Sequence, residues 1–308
     1  MSAAFAPCGG RRESHFGIEL VEHDGFFYGP STLEGMVNMY SQFKGREDDV
    51  LVCSAMKTGT TCLKAIITSI MSESKTHTSK GMAVHDLIPS FEVMYSPRAM
   101  HKVEMPSPKF LSTHLSYSAL PPQIISLGCR IIYIVRNPKE TFVSHWKFLP
   151  ALQAAINVKT TCAVSKEAFF GSFCNGVSIF GPFVDHVLGF WNASRNQSNI
   201  LFLTYEDMKA YSLSHIKKIA DFLGQSCLAE EDIRYIDSQC NFQFLSTLDV
   251  NRNGTMNLKD AHLSDRSLFR KGEVGDWKNH FIPEMNRRMD LEVENKFQEA
   301  GMFLKYEL

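Results

Sequence analysis

Three short apolar runs, each closed by a turn and then by a helical pattern, constrain the fold more than any other feature of the chain. They are Asp49-Val50-Leu51-Val52-Cys53-Ser54-Ala55, Arg130-Ile131-Ile132-Tyr133-Ile134-Val135 and Asn199-Ile200-Leu201-Phe202-Leu203-Thr204-Tyr205. A strand with one wet face alternates polar and apolar residues. These runs do not alternate, so they read as parallel strands covered on both faces. Lys109-Phe110-Leu111-Ser112-Thr113-His114 is a fourth, shorter candidate, stopped further on by Pro121-Pro122. Helical patterns lie between and after the strands. Leu63, Ile66, Ile67, Ile70 and Met71 follow Thr61 at three- and four-residue spacing. His215 to Leu223 carries Ile216, Ile219, Ala220 and Leu223 on one face, with Gly224 as its stop. Met285, Met289, Val293 and Phe297 recur as a stripe that reads as a core face. Strands alternating with helices imply right-handed crossovers and an open α/β sheet. Ligands of such sheets bind beyond the carboxyl ends of the strands, so the residues that follow each run carry the functional reading.

After the first run comes Ser54-Ala55-Met56-Lys57-Thr58-Gly59-Thr60-Thr61-Cys62 and then a helix. A strand, a glycine turn and a helix N-terminus together make an anion site, because backbone N–H groups and the positive helix end converge there. Lys57 adds a mobile cation, and Thr60 and Thr61 add hydroxyls. The ATP-type loop, G-x-x-x-x-G-K-S/T, requires lysine after the last glycine. Here Lys57 precedes Gly59, which disfavours an ordinary nucleotide triphosphatase or kinase. After the second run stand Arg136-Asn137-Pro138, with Ser144 further along the helix; the guanidinium fork of Arg136 suits a phosphate. A third cationic element is Phe269-Arg270-Lys271-Gly272-Glu273-Val274-Gly275-Asp276-Trp277-Lys278-Asn279. Taken singly, each of these is equally a solvated turn. Taken together, three cationic elements beside turns suggest a ligand with an anionic group at each end. His114, at the end of its strand, is the candidate general base. His15, His23, His77, His85, His101 and His262 have no comparable setting, and His145 would point elsewhere on the helix of Ser144.

Composition removes other classes. Lys plus Arg is 32 against 33 Asp plus Glu, a net charge of −1, which excludes a globally basic nucleic-acid binder but not a small cationic pocket. No run of 18 apolar residues marks a membrane span, and Met1 to Leu20 holds no continuous apolar segment of a secretory signal. The eight cysteines lack zinc or redox spacing and read as buried thiols of a reducing compartment, so the sequons at Asn192, Asn196 and Asn253 read as chance matches in a cytoplasmic protein. Gly176-Val177-Ser178-Ile179-Phe180 lacks the second glycine of a hydrolase elbow. Residues 1–25 read as a loose tail, and 26–308 as one domain, because the cationic elements run from Lys57 to Gly272.

These residues resemble the cytosolic sulfotransferase family, and its plant-type branch most closely. The resemblance rests on Lys57-Thr58-Gly59-Thr60-Thr61, Ser112-Thr113-His114-Leu115, Tyr133-Ile134-Val135-Arg136-Asn137-Pro138 with Ser144, Phe202-Leu203-Thr204-Tyr205-Glu206-Asp207-Met208 and, most specifically, Arg270-Lys271-Gly272 through Asn279. It implies a single α/β domain with a mainly parallel sheet flanked by helices and a P-loop-like phosphosulfate loop. It also implies 3′-phosphoadenosine 5′-phosphosulfate (PAPS) as co-substrate, no metal, and a small-molecule hydroxyl acceptor such as a flavonoid or steroid. By the same resemblance Lys57, Thr58, Gly59, Thr60, Thr61 and Cys62 hold the 5′-phosphosulfate. Arg136 and Ser144, with Arg270, Lys271 and Gly272, hold the 3′-phosphate. Tyr205 and Phe242 meet the adenine, and His114 and Lys57 act in catalysis. The sequence departs from the family at Met56, usually proline, at Cys62, usually an adenine-stacking tryptophan, and at Ser112, a lysine in animal members. Those departures leave a non-catalytic nucleotide or ligand binder as the alternative. Ile282, Pro283 and Arg287 break the animal-type dimer motif. Aromatic segments near Phe91–Tyr95, Trp146–Leu149 and Ile179-Phe180 are candidates for an acceptor pocket or for core.

Overall fold

The computed structural model describes residues 11–75, 82–96, 107–159, 163–258 and 261–305. Its strands are Arg12–His15 (β1), Ile18–His23 (β2), Phe26–Tyr28 (β3), Val50–Ser54 (β4), Phe110–Thr113 (β5), Arg130–Val135 (β6), Ile200–Thr204 (β7), Thr255–Leu258 (β8) and Ala261–Ser264 (β9). The four apolar runs form one parallel sheet in the order β5-β4-β6-β7. Alternate residues of each strand enter different cores. Leu51, Cys53, Ile131, Tyr133 and Val135 pack with Phe142, Phe169, Phe190 and Phe297 on one side. Val50, Val52, Ile132, Ile134, Leu201 and Leu203 pack with Leu63, Ile67, Ile216, Ile219 and Ile236 on the other. Both pleat faces are buried, which is why the runs show no polar alternation. Helices Thr60–Met71 and Pro138–Ala155 leave the ends of β4 and β6, so their N-termini meet at the carboxyl edge of the sheet.

The stretch expected to be a loose tail is built into the fold wherever it is described. β1, β2 and β3 form an antiparallel meander with Arg12 opposite Val21 and Val21 opposite Tyr28. Ile18, Leu20 and Val21 are buried in the core shared with Phe142. Its two turns are Phe16-Gly17 (φ 54 and 84) and Asp24-Gly25 (φ 49 and 79), both with consecutive positive φ. That is the backbone of a two-residue hairpin, and Asp-Gly is its strongest sequence signal. Residues 1–10 lie outside the described residues. β3 also reaches across the fold: Phe27 N–H donates to Gly181 O and Phe180 N–H to Phe27 O, both at 2.8 Å.

The Met and Phe stripe is a core face, as expected: Met285, Met289, Val293 and Phe297 are all buried. A strict spacing of four outruns the 3.6-residue turn. The chain absorbs the excess in a π turn over Asp290–Glu294, between helices Pro283–Met289 and Asn295–Glu299.

Candidate functional site

The chain leaves β4 through Ala55 into a turn set by two left-handed residues, Lys57 at φ 67 and Gly59 at φ 111. Gly59 is required twice, for that φ and because an added Cβ would lie 2.6 Å from Tyr205 Cδ2. Thr58 fixes the turn from beneath. Its buried hydroxyl stands 2.9 Å from Ala55 O and 3.0 Å from Ile134 O, tying the loop to the end of β6. Its side chain therefore faces the sheet, whereas Lys57, Gly59, Thr60, Thr61 and Cys62 line the pocket above. Lys57 Nζ lies 4.0 Å over the Phe148 ring. Burial, with the nearby charges of Arg136 and Arg270, lowers its amine from 10.5 to about 7.

Opposite stands Arg136, at the first position after β6. One guanidinium nitrogen donates to Glu140 Oε2 at 3.2 Å and to Glu273 O at 2.6 Å, and the group stacks 4.5 Å over the Tyr205 ring. Its Nε is buried and makes no hydrogen bond within the protein, a donor that an anion in the pocket would satisfy. Glu140 is fully buried and carries the opposite end of the network: Oε1 accepts the Gly275 N–H at 2.6 Å and the Trp277 N–H at 3.3 Å. The loop bearing Arg270, Lys271 and Gly272 is thereby held against Arg136. Asp276 pairs with both Arg270 and Lys271. Burial alone would raise its carboxyl, but the hydrogen bonds from Lys271 and Arg270 prevail and hold it well below the usual carboxylate range. Gly272, at φ 65, admits Phe242 so closely that a Cβ would stand 2.2 Å from Phe242 Cγ. Ser144, Tyr205, Phe242, Phe269 and Cys62 complete this end of the pocket. Burial pushes the Cys62 thiol up to about 11, against the charges of Lys209 and Arg136.

His114 follows β5 and is clamped on every side. Its N–H donates to Glu92 Oε1 at 2.6 Å, and its carbonyl lies 3.0 Å from His186 Nε2. Its Nδ1 lies 2.8 Å from Ser54 O, so that nitrogen carries the proton and Nε2 keeps the lone pair. Burial lowers its pKa below 6.5 against the opposing charge of Glu92, leaving a neutral imidazole at pH 7. Phe180 packs against it at 5.5 Å between ring centroids. Of the proposed acceptor segments, Phe148 lines the pocket and Phe180 touches His114, whereas Phe91 is core and Trp146 Nε1 donates to Val164 O.

One pocket therefore gathers every residue that the sequence proposed for the donor site and for catalysis except the Thr58 side chain. Sequence reasoning missed His85, which lines the same pocket, and the bracing carboxylates Glu92 and Glu140. His85 stands in no strand or turn motif; it reaches the site because Val84–Leu87 packs across helix Thr60–Met71, where Thr61 Oγ1 is 3.3 Å from His85 Nε2. Among the described residues no group of three or more His, Cys, Asp or Glu is arranged to hold a metal, and no helix is long and apolar enough to cross a membrane.

Residues 47–301 match the family model described as sulfotransferase domain. The chain is 36% identical to cytosolic sulfotransferase 17 of Arabidopsis thaliana over 92% of this chain and 84% of that one. It is also 36% identical to a flavonol sulfotransferase-like protein of Flaveria bidentis, over 94% of each. The crystal structure of mouse sulfotransferase SULT7A1 complexed with PAP superposes with a TM-score of 0.69 at 28% identity, covering 92% of this chain and 95% of that one.

Proposed function

The chain belongs to the sulfotransferase family, and on that premise we propose that it moves a sulfuryl group from PAPS to the hydroxyl of a small-molecule acceptor, with His114 as general base. One observation carries the reading. Lys57, Arg136, Arg270 and Lys271, scattered through the sequence, face one pocket together with an unprotonated histidine nitrogen.

Each residue then has a task set by its position. Gly59, Thr60, Thr61 and the turn N–H groups at the helix start hold the 5′-phosphosulfate. Thr58 contributes its backbone and, through its hydroxyl, the shape of the turn. Arg136, Ser144, Arg270, Lys271 and the Gly272 backbone hold the 3′-phosphate, and the unpaired Arg136 Nε fits such a group. Tyr205, Phe242 and Cys62 border the adenine. His114 Nε2 accepts the proton of the acceptor hydroxyl as its oxygen attacks sulfur. Lys57 stabilises the negative charge that develops on the oxygen leaving with the 5′-phosphate. Burial lowers the Lys57 amine to about 7, and the bound phosphate would restore its full charge. By analogy with phosphoryl transfer, positioning and electrostatics supply most of the rate. The acceptor enters beside Phe148 and Phe180, and the aromatic walls suit a flat phenolic or a steroidal molecule.

We read residues 26–308, extended at their start by β1 and β2, as one catalytic domain acting in the cytoplasm, without nucleic acid and without the animal-type dimer. The test is calorimetry with adenosine 3′,5′-bisphosphate (PAP) joined to a labelled-PAPS screen over hydroxylated metabolites. PAP should bind and at least one acceptor should be sulfated. His114→Ala should bind PAP as before and lose about 10²–10⁴-fold in turnover. Full activity of His114→Ala with every acceptor would sink the base assignment. PAP binding without turnover across the panel would establish the non-catalytic binder that Met56 and Cys62 alone would suggest.

A further inference from the structure

Behind Thr61 lie a buried lysine and a half-buried histidine that no motif accounts for. Lys64, one turn further along helix Thr60–Met71, is 3% exposed. Its Nζ donates to Ile88 O at 2.8 Å and stands 3.2 Å from His85 Nδ1. His85 Nε2 stands in turn 3.3 Å from Thr61 Oγ1, and both His85 and Thr61 line the pocket. These lengths are loose, as catalytic contacts often are before ligand binds.

With Lys64 as an ammonium the protons of this chain run one way. An ammonium donates and has no lone pair, so His85 Nδ1 must accept. Burial and the Lys64 charge hold the His85 pKa well below its ordinary value, so the ring is neutral and its single proton sits on Nε2. Nε2–H then donates to Thr61 Oγ1. A hydroxyl that accepts from its neighbour has its own proton released to whatever faces it. What faces Thr61 is the pocket in which Lys57, Arg136, Arg270 and Lys271 converge. Burial lowers the Lys64 amine from 10.5 to about 7, with the charges of Glu92 and Asp86 opposing, so the ammonium donor at the head of the chain is the form present below about pH 7 and the form that an anion in the pocket would favour.

We propose that Lys64 and His85 are positioning residues: through a one-way hydrogen-bond chain, ammonium to imidazole to hydroxyl, they fix Thr61 as a donor to the anionic sulfonated or phosphorylated end of the nucleotide. This rests on the nucleotide assignment made above. Without Lys64 the imidazole is free to take its other tautomer, and Thr61 then turns its proton inward to His85 Nε2 and presents a lone pair to an anion. Without His85 the hydroxyl has no orienting partner.

The experiment is a double-mutant cycle read by calorimetric affinity for PAP and by kcat/KM for PAPS. His85→Phe and Lys64→Met should each lower both by about ten- to a hundredfold, the range for a hydrogen bond to a charged group. His85→Gln keeps an N–H at the reach of Nε2 and should restore most of the loss, whereas His85→Asn is too short and should not. In a Thr61→Val background, which has no hydroxyl to orient, His85→Phe and Lys64→Met should add less than about twofold, the signature of coupled rather than independent sites. Single-variant losses below about threefold, or full and additive losses in the Thr61→Val background, overturn the proposal. Should His85→Phe fail to fold by circular dichroism, equal affinities for His85→Gln and His85→Asn overturn it instead. Wild-type protein that binds no PAP overturns the nucleotide assignment, and the relay with it.

Discussion

A lysine amine near 7 makes Lys57 sensitive to the pH at which the protein is handled. Burial disfavours its charged form, and a bound polyanion would favour it. Binding then takes up a proton above about pH 7, and PAP affinity should fall by up to about tenfold per pH unit from there upward. Calorimetry in buffers of different ionisation enthalpy would show the uptake directly. His114 titrates below 6.5, so the acid limb of kcat/KM should lie under that value. Cys62 is the residue at which this pocket differs most from the expected pattern. It lines the pocket with Tyr205, Phe242 and Phe269, the wall to which we assign the adenine. Cys62→Trp should tighten PAP binding by about ten- to a hundredfold, the value of one aromatic stack. At this scale the sequence was legible where a residue's place in the pocket follows from its position after a strand, as for Lys57, Arg136 and His114. It gave no setting to His85, which lines the pocket, and no place to Glu92 or Glu140 as braces, because these contacts arise only when distant segments touch. Thr58 marks the same limit: its position in the loop was legible, and its downward rotamer toward Ile134 O was not.

The elements that build the site are held by backbone groups more than by side-chain mass. Glu140 belongs to helix Pro138–Ala155 yet takes the N–H groups of Gly275 and Trp277 on one oxygen and Arg136 on the other. Glu140→Gln keeps the shape and loses the charge, so the loop bearing Arg270 and Lys271 should loosen. A fall of about ten- to a hundredfold in PAP affinity is expected, with hydrogen exchange at Gly275 and Trp277 rising in the same variant. Affinity and exchange both unchanged would dismiss Glu140 as the brace. The central strands were plain in the sequence because doubly buried parallel strands are apolar throughout. The first two strands were not, because a meander with partly exposed residues such as Glu19 and Glu22 resembles a polar tail. Asp24-Gly25 was the signal that marks it as a hairpin.

For the whole molecule, the buried titratable groups set where it is stable. His15 is lowered to about 4, His145 to about 3 and His186 to about 4, each by burial first. The unfolded chain binds their protons at about 6.5, so stability should be lost as pH falls below that value. Lys57 and Lys64 are lowered from 10.5 to about 7. Between those values the unfolded chain again binds more protons, so these two groups add stability as pH rises from about 7 toward 10.5. PAP reverses the preference for Lys57. Thermal unfolding should therefore show a ligand-induced gain at pH 7 that shrinks by pH 9, and a gain that grows with pH would contradict the site.

The order β5-β4-β6-β7 has a further consequence, for the way the chain is made. β4 is synthesised first of the four, yet both of its neighbours, β5 and β6, come later, and β7 later still. No parallel pair closes through a tight hairpin, so each pairing awaits a long intervening segment. The last contributors to the pocket, Arg270 to Gly272, emerge after all of them. A nascent chain can thus assemble its sheet before it can hold a nucleotide, and PAPS can select only molecules whose chain already extends past Gly272.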